Sequence, residues 1–507
     1  MTFKDLLALV SSPNRPRICV DSRLVKEGNI FVAVKGTVYD GHDFVGQALA
    51  NGAKYIICQQ TQTSTSGSTE HETVVVDDSS EAAALLAQAS RGNPASLLTN
   101  LAVTGTNGKT TVAYLVRSII QESGEKCGLI GTVVCDTGQT CRPANLTTPD
   151  CLEIADAQRQ MVEAKTRYMA IEASSHALSQ NRLAGIDFKA AAFTNLAGDH
   201  LDYHITKDDY LAAKARLFRN LSPDATAVLN RQSPEAVLIA RQTRANILWY
   251  ATDEPADITA RIESMSVGGT VFALEYAGQK REVLTPLLGR YNVSNHLAAA
   301  GLCLAAGFGL DTVAAGLSSL QAIPGRLEKC ATERTDESSR DEFSVLVDYA
   351  HTDDALKNVL STLKPLCRSR LIVVFGCGGD RDTTKRPRMA RVAERTADIV
   401  IVTSDNPRTE QPDQIIEDII AGFENYHPTD DANSARDIIV IEPDRRKAIE
   451  LALRTAVDGD IVLIAGKGHE TYQIIGRQKF DFSDKQVVQE YFTRVPNVTQ
   501  GVSELNE

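Results

Sequence analysis

Residues 98–111 read LTNLAVTGTNGKTT, and this stretch decides how the chain around it folds. The apolar run 98–103 predicts a buried strand, and residues 104–108 predict a glycine-rich turn. After Lys109 the apolar residues recur at the spacing of one helix face, at Val112, Leu115, Val116 and Ile119. A strand, turn and helix in this order direct backbone N–H groups and the positive end of a helix at one spot, where phosphate binds.

The turn itself carries the residue types of a nucleotide-binding loop. Lys109 is placed to reach the outer phosphates, and the Thr110 hydroxyl to ligate magnesium. Only GTNGKT matches the usual pattern, because Val103 stands where a further glycine is expected. The alternative is a chance glycine-rich turn, which the flanking strand and helix disfavour. The predicted nucleotide-binding residues are Gly105, Thr106, Asn107, Gly108, Lys109, Thr110 and Thr111.

Length and composition limit the class of protein. At 507 residues the chain suggests roughly three domains of ~150 residues each. Its net charge of −12 and lack of Lys/Arg-rich runs argue against a nucleic-acid partner, so an anionic substrate needs a local basic pocket. No run of about 18 apolar residues and no signal-peptide pattern is present, so we expect a cytoplasmic protein without a membrane partner. Ten cysteines without a C-x-x-C pair indicate reduced thiols.

Three α/β domains are predicted from the order of strand-like and helix-like segments. Residues 1–95 form a small first domain, which ends at the turn-rich segment SRGNPAS. Residues 96–325 form the central P-loop domain, which ends near PGRLE. Residues 326–507 contain apolar strands that each run into polar residues, the pattern of a doubly wound, Rossmann-like domain.

Two strand ends in the central domain predict a magnesium site. MAIEASSH at 169–176 and AAFTNLAGDHLDYH at 191–204 each run from an apolar strand into acidic and histidine residues. Chemistry in parallel sheets sits at these carboxyl ends. We therefore predict Glu172 and His200 as magnesium ligands, the alternative being capped or surface groups.

A larger set of motifs resembles one family along nearly the whole chain. In order they are GTNGKTT, EASSHAL, GDHLDYH, YLAAKARLF, YNVSNHLAA, PGRLE, DYAHTDDAL, GCGGDRD, SDNPRTE and GKGHE. This order resembles the Mur ligase family. The resemblance implies a first domain for a UDP-sugar, a central ATPase domain and a C-terminal Rossmann-like domain for the incoming amino acid.

The resemblance also implies the reaction. ATP would phosphorylate a substrate carboxylate, and an amine would attack the acyl phosphate to form an amide. The expected partners are UDP-N-acetylmuramoyl-L-alanyl-D-glutamate and meso-2,6-diaminopimelate, joined during synthesis of the peptidoglycan precursor. The expected cofactors are ATP and Mg²⁺, and we expect a monomer.

Family positions assign roles around the nucleotide. Lys109, Glu172 and His200 match catalytic positions, and Lys214 in YLAAKARLF matches the family lysine that is carbamylated and ligates a second magnesium ion. The alternative for Lys214 is a solvated helix lysine. Four more residues match positions near the adenine and the domain junction, namely Asn292, Asn295, Arg326 and Asp348. Their alternatives are a helix-capping Asn pair and a linker ion pair.

The nucleotide-sugar contacts implied by the resemblance are scattered along the chain. They are Ser22, Thr147, Thr148, Ser174, Gln180 and Arg182. Arg182 would supply positive charge to a pyrophosphate or carboxylate. The alternatives are a turn role for Ser22 and helix capping after Pro149 for the two threonines.

The amino-acid pocket predicts which amine is used. The sequence DNPR places Asp405, Asn406, Pro407 and Arg408 together, a form that resembles ligases selecting diaminopimelate. Lysine lacks the distal carboxylate of diaminopimelate, and a guanidinium binds a carboxylate through two charge-assisted hydrogen bonds. Arg408 is thus the proposed discriminator, the alternative being a loop Arg after a proline turn. The other implied pocket residues are Arg381, Gly466 and Glu470, the last pairing with the distal ammonium.

Two rival functions stay open from the sequence. One is another ligase of the same superfamily, such as a D-alanyl-D-alanine-adding enzyme or a folylpolyglutamate synthase, which DNPRTE and VDSR disfavour. The other is a P-loop NTPase that only hydrolyses ATP.

Overall fold

The computed structural model describes residues 1–36, 39–60, 71–197, 204, 206–330, 343–426 and 438–494. Three separate sheets, each covered by helices, follow one another along the chain. This confirms the predicted α/β class with three domains. None of the helices in the described ranges is long and apolar enough to cross a membrane.

The first domain is a parallel sheet of four strands. Its elements are α1 (Phe3–Val10), β1 (Ile18–Cys19), β2 (Ile30–Val32), α2 (Val45–Ala50), β3 (Tyr55–Cys58), β4 (Glu72–Val75) and α3 (Ser79–Ser90). Thr2 and Asp78 accept backbone N–H groups at the starts of α1 and α3. These two helices share one apolar core on the sheet, and α2 packs on the opposite face.

The central domain is built on a mixed sheet of eleven strands, β15-β14-β13-β12-β11-β10-β5-β9-β6-β7-β8. The strands are β5 (Thr99–Thr104), β6 (Cys127–Ile130), β7 (Val134–Asp136), β8 (Cys141–Pro143), β9 (Tyr168–Glu172), β10 (Phe188–Phe193), β11 (Thr226–Asn230), β12 (Asn246–Ala251), β13 (Ile258–Ser266), β14 (Gly269–Tyr276) and β15 (Gln279–Thr285). The helices are α4 (Lys109–Glu122), α5 (Cys151–Glu163), α6 (Ser175–Ser179), α7 (Lys207–Arg219), α8 (Pro234–Ala240), α9 (Arg290–Ala305) and α10 (Leu310–Ser319).

The predicted strand, turn and helix of the nucleotide loop are confirmed as β5 and α4. Strand β5 is buried and pairs in parallel with β9 on one side and β10 on the other. Helix α4 packs with α9 and α10 over one face of the sheet. The loop between β5 and α4 therefore opens at the centre of the sheet, beside the ends of its two neighbouring strands.

The third domain has the sheet order β16-β17-β21-β18-β19-β20, parallel except for β16. Its strands are β16 (Glu328–Lys329), β17 (Ser344–Asp348), β18 (Leu371–Phe375), β19 (Ile399–Val402), β20 (Ile438–Ile441) and β21 (Ile461–Ala465), followed by the hairpin β22 (Tyr472–Ile475) and β23 (Gln478–Asp481). The helices are α11 (Asp353–Leu363), α12 (Lys385–Thr396), α13 (Pro412–Ile420), α14 (Arg445–Thr455) and α15 (Asp484–Arg494). The polar segments after β17, β18, β19 and β21 meet at one edge because parallel strands end together.

A fully buried ion pair lies beneath that edge. Arg445 begins α14 and Asp484 begins α15, and neither side chain is exposed. Arg445 Nη2 donates to Asp484 Oδ2 at 2.7 Å and to the carbonyl of Ala465 at 3.0 Å. The pair thus connects both helices to the last residue of β21, where the predicted pocket motif GKGHE begins.

We expect the substitution Asp484→Ala to lower the free energy of unfolding of the third domain by about 3 kcal/mol or more, because it leaves a buried guanidinium without its counter-ion. Native-state hydrogen exchange of the β21 amides measures this loss. The matched control is Asp458→Ala, which breaks the exposed pair with Arg368 and should change the free energy by less than about 1 kcal/mol. Equal effects of the two substitutions would contradict the role of the buried pair.

Candidate functional site

The nucleotide loop is shaped by glycines that leave no room for a side chain. Gly105 has φ +148°, and a Cβ there would lie 1.9 Å from Thr194 Oγ1. Gly108 has φ +90°, and a Cβ there would lie 2.2 Å from Asn295 Oδ1. Asn295, predicted near the nucleotide, therefore contacts the loop from helix α9. The loop can hold this tight conformation only with glycine at both positions.

Two lysines converge on the loop. Lys109 Nζ donates to the carbonyls of Gly105 at 3.0 Å and Thr106 at 2.8 Å. Lys214 Nζ donates to the same Gly105 carbonyl at 2.8 Å and lies 4.3 Å from the centre of the Tyr210 ring. The Lys214 side chain is buried, so the alternative of a solvated helix lysine is wrong.

The Glu172 carboxylate lies next to the loop and is fully buried. Oε2 accepts the hydroxyls of Thr110 at 3.1 Å and Thr132 at 2.9 Å, and Oε1 accepts the Thr132 backbone N–H at 2.8 Å. A Cβ on Gly131 would lie 2.2 Å from Oε1, so glycine is needed beside the carboxylate. Sequence reasoning missed Thr132, which lies just after β6, whereas Glu172 is the last residue of β9.

The chemistry of this donor set fits a magnesium ion. A carboxylate and a threonine hydroxyl are the hard oxygen ligands that Mg²⁺ prefers. Within the described ranges, no group of three His, Cys, Asp or Glu side chains could hold a metal. A metal here would thus depend on the hydroxyl and on the phosphate oxygens of a nucleotide as well. His200, the other predicted ligand, lies outside the described residues.

Residues of the domain junction reach the same place. Arg326 Nη2 donates to Thr110 Oγ1 at 3.2 Å. Asp348 accepts the backbone N–H groups of Leu327 at 2.7 Å and Ala350 at 2.8 Å. Burial raises the pKa of Asp348, and the nearby Arg326 opposes that shift. These bonds place Arg326 on the nucleotide loop and Asp348 at the base of the junction.

A cavity of about 1400 Å³ lies between the central and third domains. It brings together many of the predicted substrate residues, namely Thr147, Thr148, Ser174, Arg182, Arg381, Asp405, Asn406, Arg408, Gly466 and Glu470. Gln180 supports the wall indirectly, because its Oε1 accepts from Arg182 at 2.6 Å and 2.9 Å. Pro407 is not among the lining residues. Ser22 belongs to the first domain, where its buried hydroxyl donates to Gln47 at 2.8 Å.

The central-domain wall of the cavity is bonded to Glu172. Thr148 Oγ1 donates to the Glu172 carbonyl at 2.6 Å, and Thr147 Oγ1 lies 3.0 Å from Thr132 Oγ1. Asp150, and neither threonine, caps helix α5, so the capping alternative is wrong. The predicted nucleotide-sugar residues of this wall are therefore coupled to the predicted magnesium site.

The third-domain wall holds Arg408 in a left-handed conformation, at φ +52°. A non-glycine residue in this region costs of order 1 kcal/mol or more and must be held by its surroundings. The Arg408 N–H donates to the Ile474 carbonyl at 3.0 Å, and its carbonyl accepts from Gly476 at 2.7 Å. Its side chain donates to the Gly379 carbonyl at 2.7 Å. The hairpin of β22 and β23 thus fixes how Arg408 enters the cavity.

Other lining residues were missed by sequence reasoning. They are Tyr349, His351, Lys385, Arg388, His469 and Tyr472 among others. His351 and His469 both follow a strand, so the signal that identified Glu172 was available for them. Burial lowers the pKa of His469 to about 4, which keeps its ring neutral at pH 7.

The fold and the site together define the class of protein. It is a multidomain, nucleotide-dependent protein whose phosphate-binding loop borders a cavity shared with a second α/β domain. The chain belongs to the Mur ligase family. Three protein-family models match the chain. The model "Mur ligase family, catalytic domain" matches residues 17–91, "Mur ligase middle domain" matches 103–303, and "Mur ligase, glutamate ligase domain" matches 325–468. The predicted resemblance is confirmed.

Similar proteins cover nearly the whole chain. The UDP-N-acetylmuramoyl-L-alanyl-D-glutamate--2,6-diaminopimelate ligase of Geobacillus kaustophilus is 43% identical over 94% of both chains, and that of Gloeobacter violaceus is 41% identical over 94% of both. A solved structure of a ligase with this name has a TM-score of 0.65 and 35% identity, covering 95% of this chain and 96% of that one. The crystal structure of MurF from Acinetobacter baumannii shares the fold, with 19% identity and a TM-score of 0.62. The match covers 97% of this chain and 99% of that one.

One buried histidine in α9, His296, makes stability depend on pH. His296 Nδ1 lies 2.6 Å from the Asn292 carbonyl and must donate to it, so in the neutral ring Nε2 accepts the Thr285 hydroxyl at 3.2 Å. Burial lowers the pKa of His296 from 6.5 to about 4. Below about pH 6.5 the unfolded chain gains a proton that the folded chain does not bind. This contribution to stability is therefore present above that pH and is lost as the pH falls towards 4.

We expect the central domain to lose about 2 kcal/mol of stability through His296 between pH 7 and pH 5. Urea unfolding measures it through the fluorescence of Trp249, the single tryptophan, which lies in β12 of this domain. The variant His296→Gln should lack this part of the pH dependence. The same pH slope in both proteins would contradict the assignment.

Proposed function

We propose that this chain uses ATP to join meso-2,6-diaminopimelate to UDP-N-acetylmuramoyl-L-alanyl-D-glutamate, in the synthesis of peptidoglycan precursors. The observation that carries the proposal is the cavity between the two domains. One wall is bonded to Glu172 beside the nucleotide loop, and the other presents Arg408 and Glu470. The identity of 43% to a ligase of this name supports the same substrates.

The chemistry follows from the poor electrophilicity of a carboxylate. The γ-phosphoryl group of ATP passes to the carboxylate of the D-glutamyl residue, which yields an acyl phosphate and ADP. The amine of diaminopimelate then attacks the acyl carbon, the C–O bond to phosphate breaks, and phosphate leaves as the amide forms. Lys109 would neutralise charge on the transferred group, and Arg326 would approach it from the junction. The shared cavity would keep water from the acyl phosphate.

Magnesium would be held by Thr110 and Glu172, with His200 as a further proposed ligand. When bound, the ion would offset negative charge between the phosphates and the acyl oxygen. We also propose that Lys214 is carbamylated, because it is buried next to Gly105, where a carboxylate on its amine could serve as an oxygen ligand. Asn292, Asn295 and Asp348 complete the proposed nucleotide surroundings.

The distal carbon of diaminopimelate carries both a carboxylate and an ammonium group, and these call for opposite charges in the pocket. Arg408 would bind the distal carboxylate of diaminopimelate and Glu470 its distal ammonium, while Arg381, Asp405 and Asn406 line the same wall. Ser22 would contact the UDP part through the lone pairs left on its hydroxyl oxygen. We further propose that the enzyme acts as a cytoplasmic monomer.

Replacing Arg408 tests the selection of the amine. We expect wild-type protein to prefer diaminopimelate over lysine by about 10³-fold in kcat/KM, because lysine leaves the guanidinium unpaired in the cavity. Arg408→Ala should lower kcat/KM for diaminopimelate about 100-fold and raise that for lysine, because the guanidinium that lysine leaves unpaired is gone. Phosphate release and mass spectrometry of the amide product measure both reactions.

The matched control is Arg477→Ala, on the exposed turn of the same hairpin, which should behave as wild type. An Arg408→Ala protein with unchanged selectivity would refute the role of Arg408. Phosphate release in the absence of both diaminopimelate and the UDP-N-acetylmuramoyl-dipeptide, without any amide product, would instead support the rival NTPase.

A second substitution tests the carboxylate beside the loop. The new methyl group of Gly131→Ala would displace Glu172 Oε1, so we expect amide formation to slow about 100-fold and to need more Mg²⁺. Titration of activity with MgCl₂ measures the effect. Gly309→Ala is the control, since a Cβ there meets open space at an ordinary φ of −73°. Equal Mg²⁺ dependence in both variants would argue against Glu172 as a ligand.

A further inference from the structure

Lys467 has a fully buried side chain in the wall of the amino-acid pocket. It lies within GKGHE, directly after β21, yet it is absent from the residues that line the cavity. An ammonium group is kept away from water only where partners compensate it. Lys467 Nζ lies 3.1 Å from Asn406 Oδ1 and 3.0 Å from Glu470 Oε2. Both partners are residues of the proposed amine pocket.

These bonds determine which way the Asn406 amide points. Its Oδ1 accepts from two donors, Lys467 Nζ and the backbone N–H of Ile474 at 2.9 Å. In the flipped orientation the amide nitrogen would face these two donors and could accept from neither, so the flipped amide is excluded. Its Nδ2 consequently donates to Glu470 Oε2 at 2.8 Å. Lys467 thus acts on the carboxylate twice, directly and through the amide.

The result is a carboxylate with one occupied oxygen. Glu470 Oε2 receives two donors, and the side chain is only 14% exposed. Oε1 is left as the oxygen available to a cationic ligand in the cavity. Without the lysine, only the Ile474 N–H would hold the Asn406 oxygen, and Glu470 would lose its charge-assisted bond. The geometry of cation recognition depends on a residue that does not touch the ligand.

We propose that Lys467 is a positioning residue for the incoming amine, which sets recognition of its distal ammonium by holding Asn406 and Glu470 in place. The assignment rests on the proposed function. It makes Lys467 a determinant of amine selection separate from Arg408, which addresses the distal carboxylate. Lys467 does not line the cavity, so we expect its loss to act on binding of the diamino acid through Asn406 and Glu470 and to leave the chemical step in place.

The test compares Lys467→Met with wild type on two amines. They are meso-diaminopimelate and 2-aminopimelate, which has the same carbon chain and distal carboxylate without the distal amine. We expect KM for diaminopimelate to rise about 30-fold, with kcat changed less than about threefold, because a charge-assisted bond to the recognising carboxylate is lost. KM for 2-aminopimelate should change less than about threefold. The preference for the diamino acid therefore collapses.

The control is Lys479→Met. Lys479 lies on the exposed strand β23, and both lysines lie over the Tyr472 ring: Lys479 Nζ is 3.7 Å and Lys467 Nζ 5.6 Å from the ring centre. The control substitution should leave both KM values unchanged. Equal loss on both amines in Lys467→Met, or a retained preference for diaminopimelate, overturns the assignment while the proposed function stands. A wild-type protein that forms no amide with diaminopimelate overturns the proposed function, and the assignment with it.

A second pair of variants answers the question if Lys467→Met does not fold. Glu470→Gln removes the charge that the lysine compensates, so Lys467→Met/Glu470→Gln leaves no unpaired carboxylate. If Lys467 acts through Glu470, the double variant and Glu470→Gln have the same KM for diaminopimelate within about twofold. A KM at least about tenfold higher in the double variant overturns the assignment, because Lys467 would then act through another route.

Discussion

The buried carboxylate of Glu172 is the constraint on which the site depends. A charge removed from water costs several kcal/mol unless hydrogen bonds surround it, and here the donors come from Thr110 and Thr132. Those donors couple helix α4 to the segment after β6, and the carboxylate excludes any side chain at Gly131. Arg326 reaches the same Thr110 hydroxyl from the next domain. The buried carboxylate thereby connects the nucleotide loop, the cavity wall and, through Thr110 and Arg326, the third domain.

Much of this arrangement follows from local signals in the sequence. The apolar run before GTNGKTT predicts β5, and the periodic residues after Lys109 predict α4, because strand and helix periods are short-range properties. Polar residues directly after apolar strands predict the site, since parallel strands end at one edge. The buried position of Lys214 was also encoded. Tyr210, Lys214 and Phe218 recur at the spacing of one helix face, and all three are buried.

The remaining features depend on contacts between distant segments. The closeness of Asn295 to Gly108 and the bond from Asn107 to Asp354 at 3.1 Å join residues that no local pattern relates. The buried bond of Ser22 to Gln47 is likewise set by how the turn after β1 packs on α2. The antiparallel strands β13 to β15 extend a parallel sheet, and only register between strands reveals them. Such features require the tertiary structure.

The cavity also offers a chain of net charge −12 a local basic surface for the proposed anionic precursor. Basic residues line it from both domains, with Arg142 and Arg182 on one side and Arg381, Lys385, Arg388 and Arg408 on the other. Arg388 is balanced by Asp353 at 3.1 Å, whereas Glu470 is balanced by Lys467. The walls thus carry both signs of charge at separate places. A purely basic cleft would attract any anion. Positive and negative charges at separate places instead match an amine that bears both carboxylates and ammonium groups, and neither domain alone supplies all of these charges.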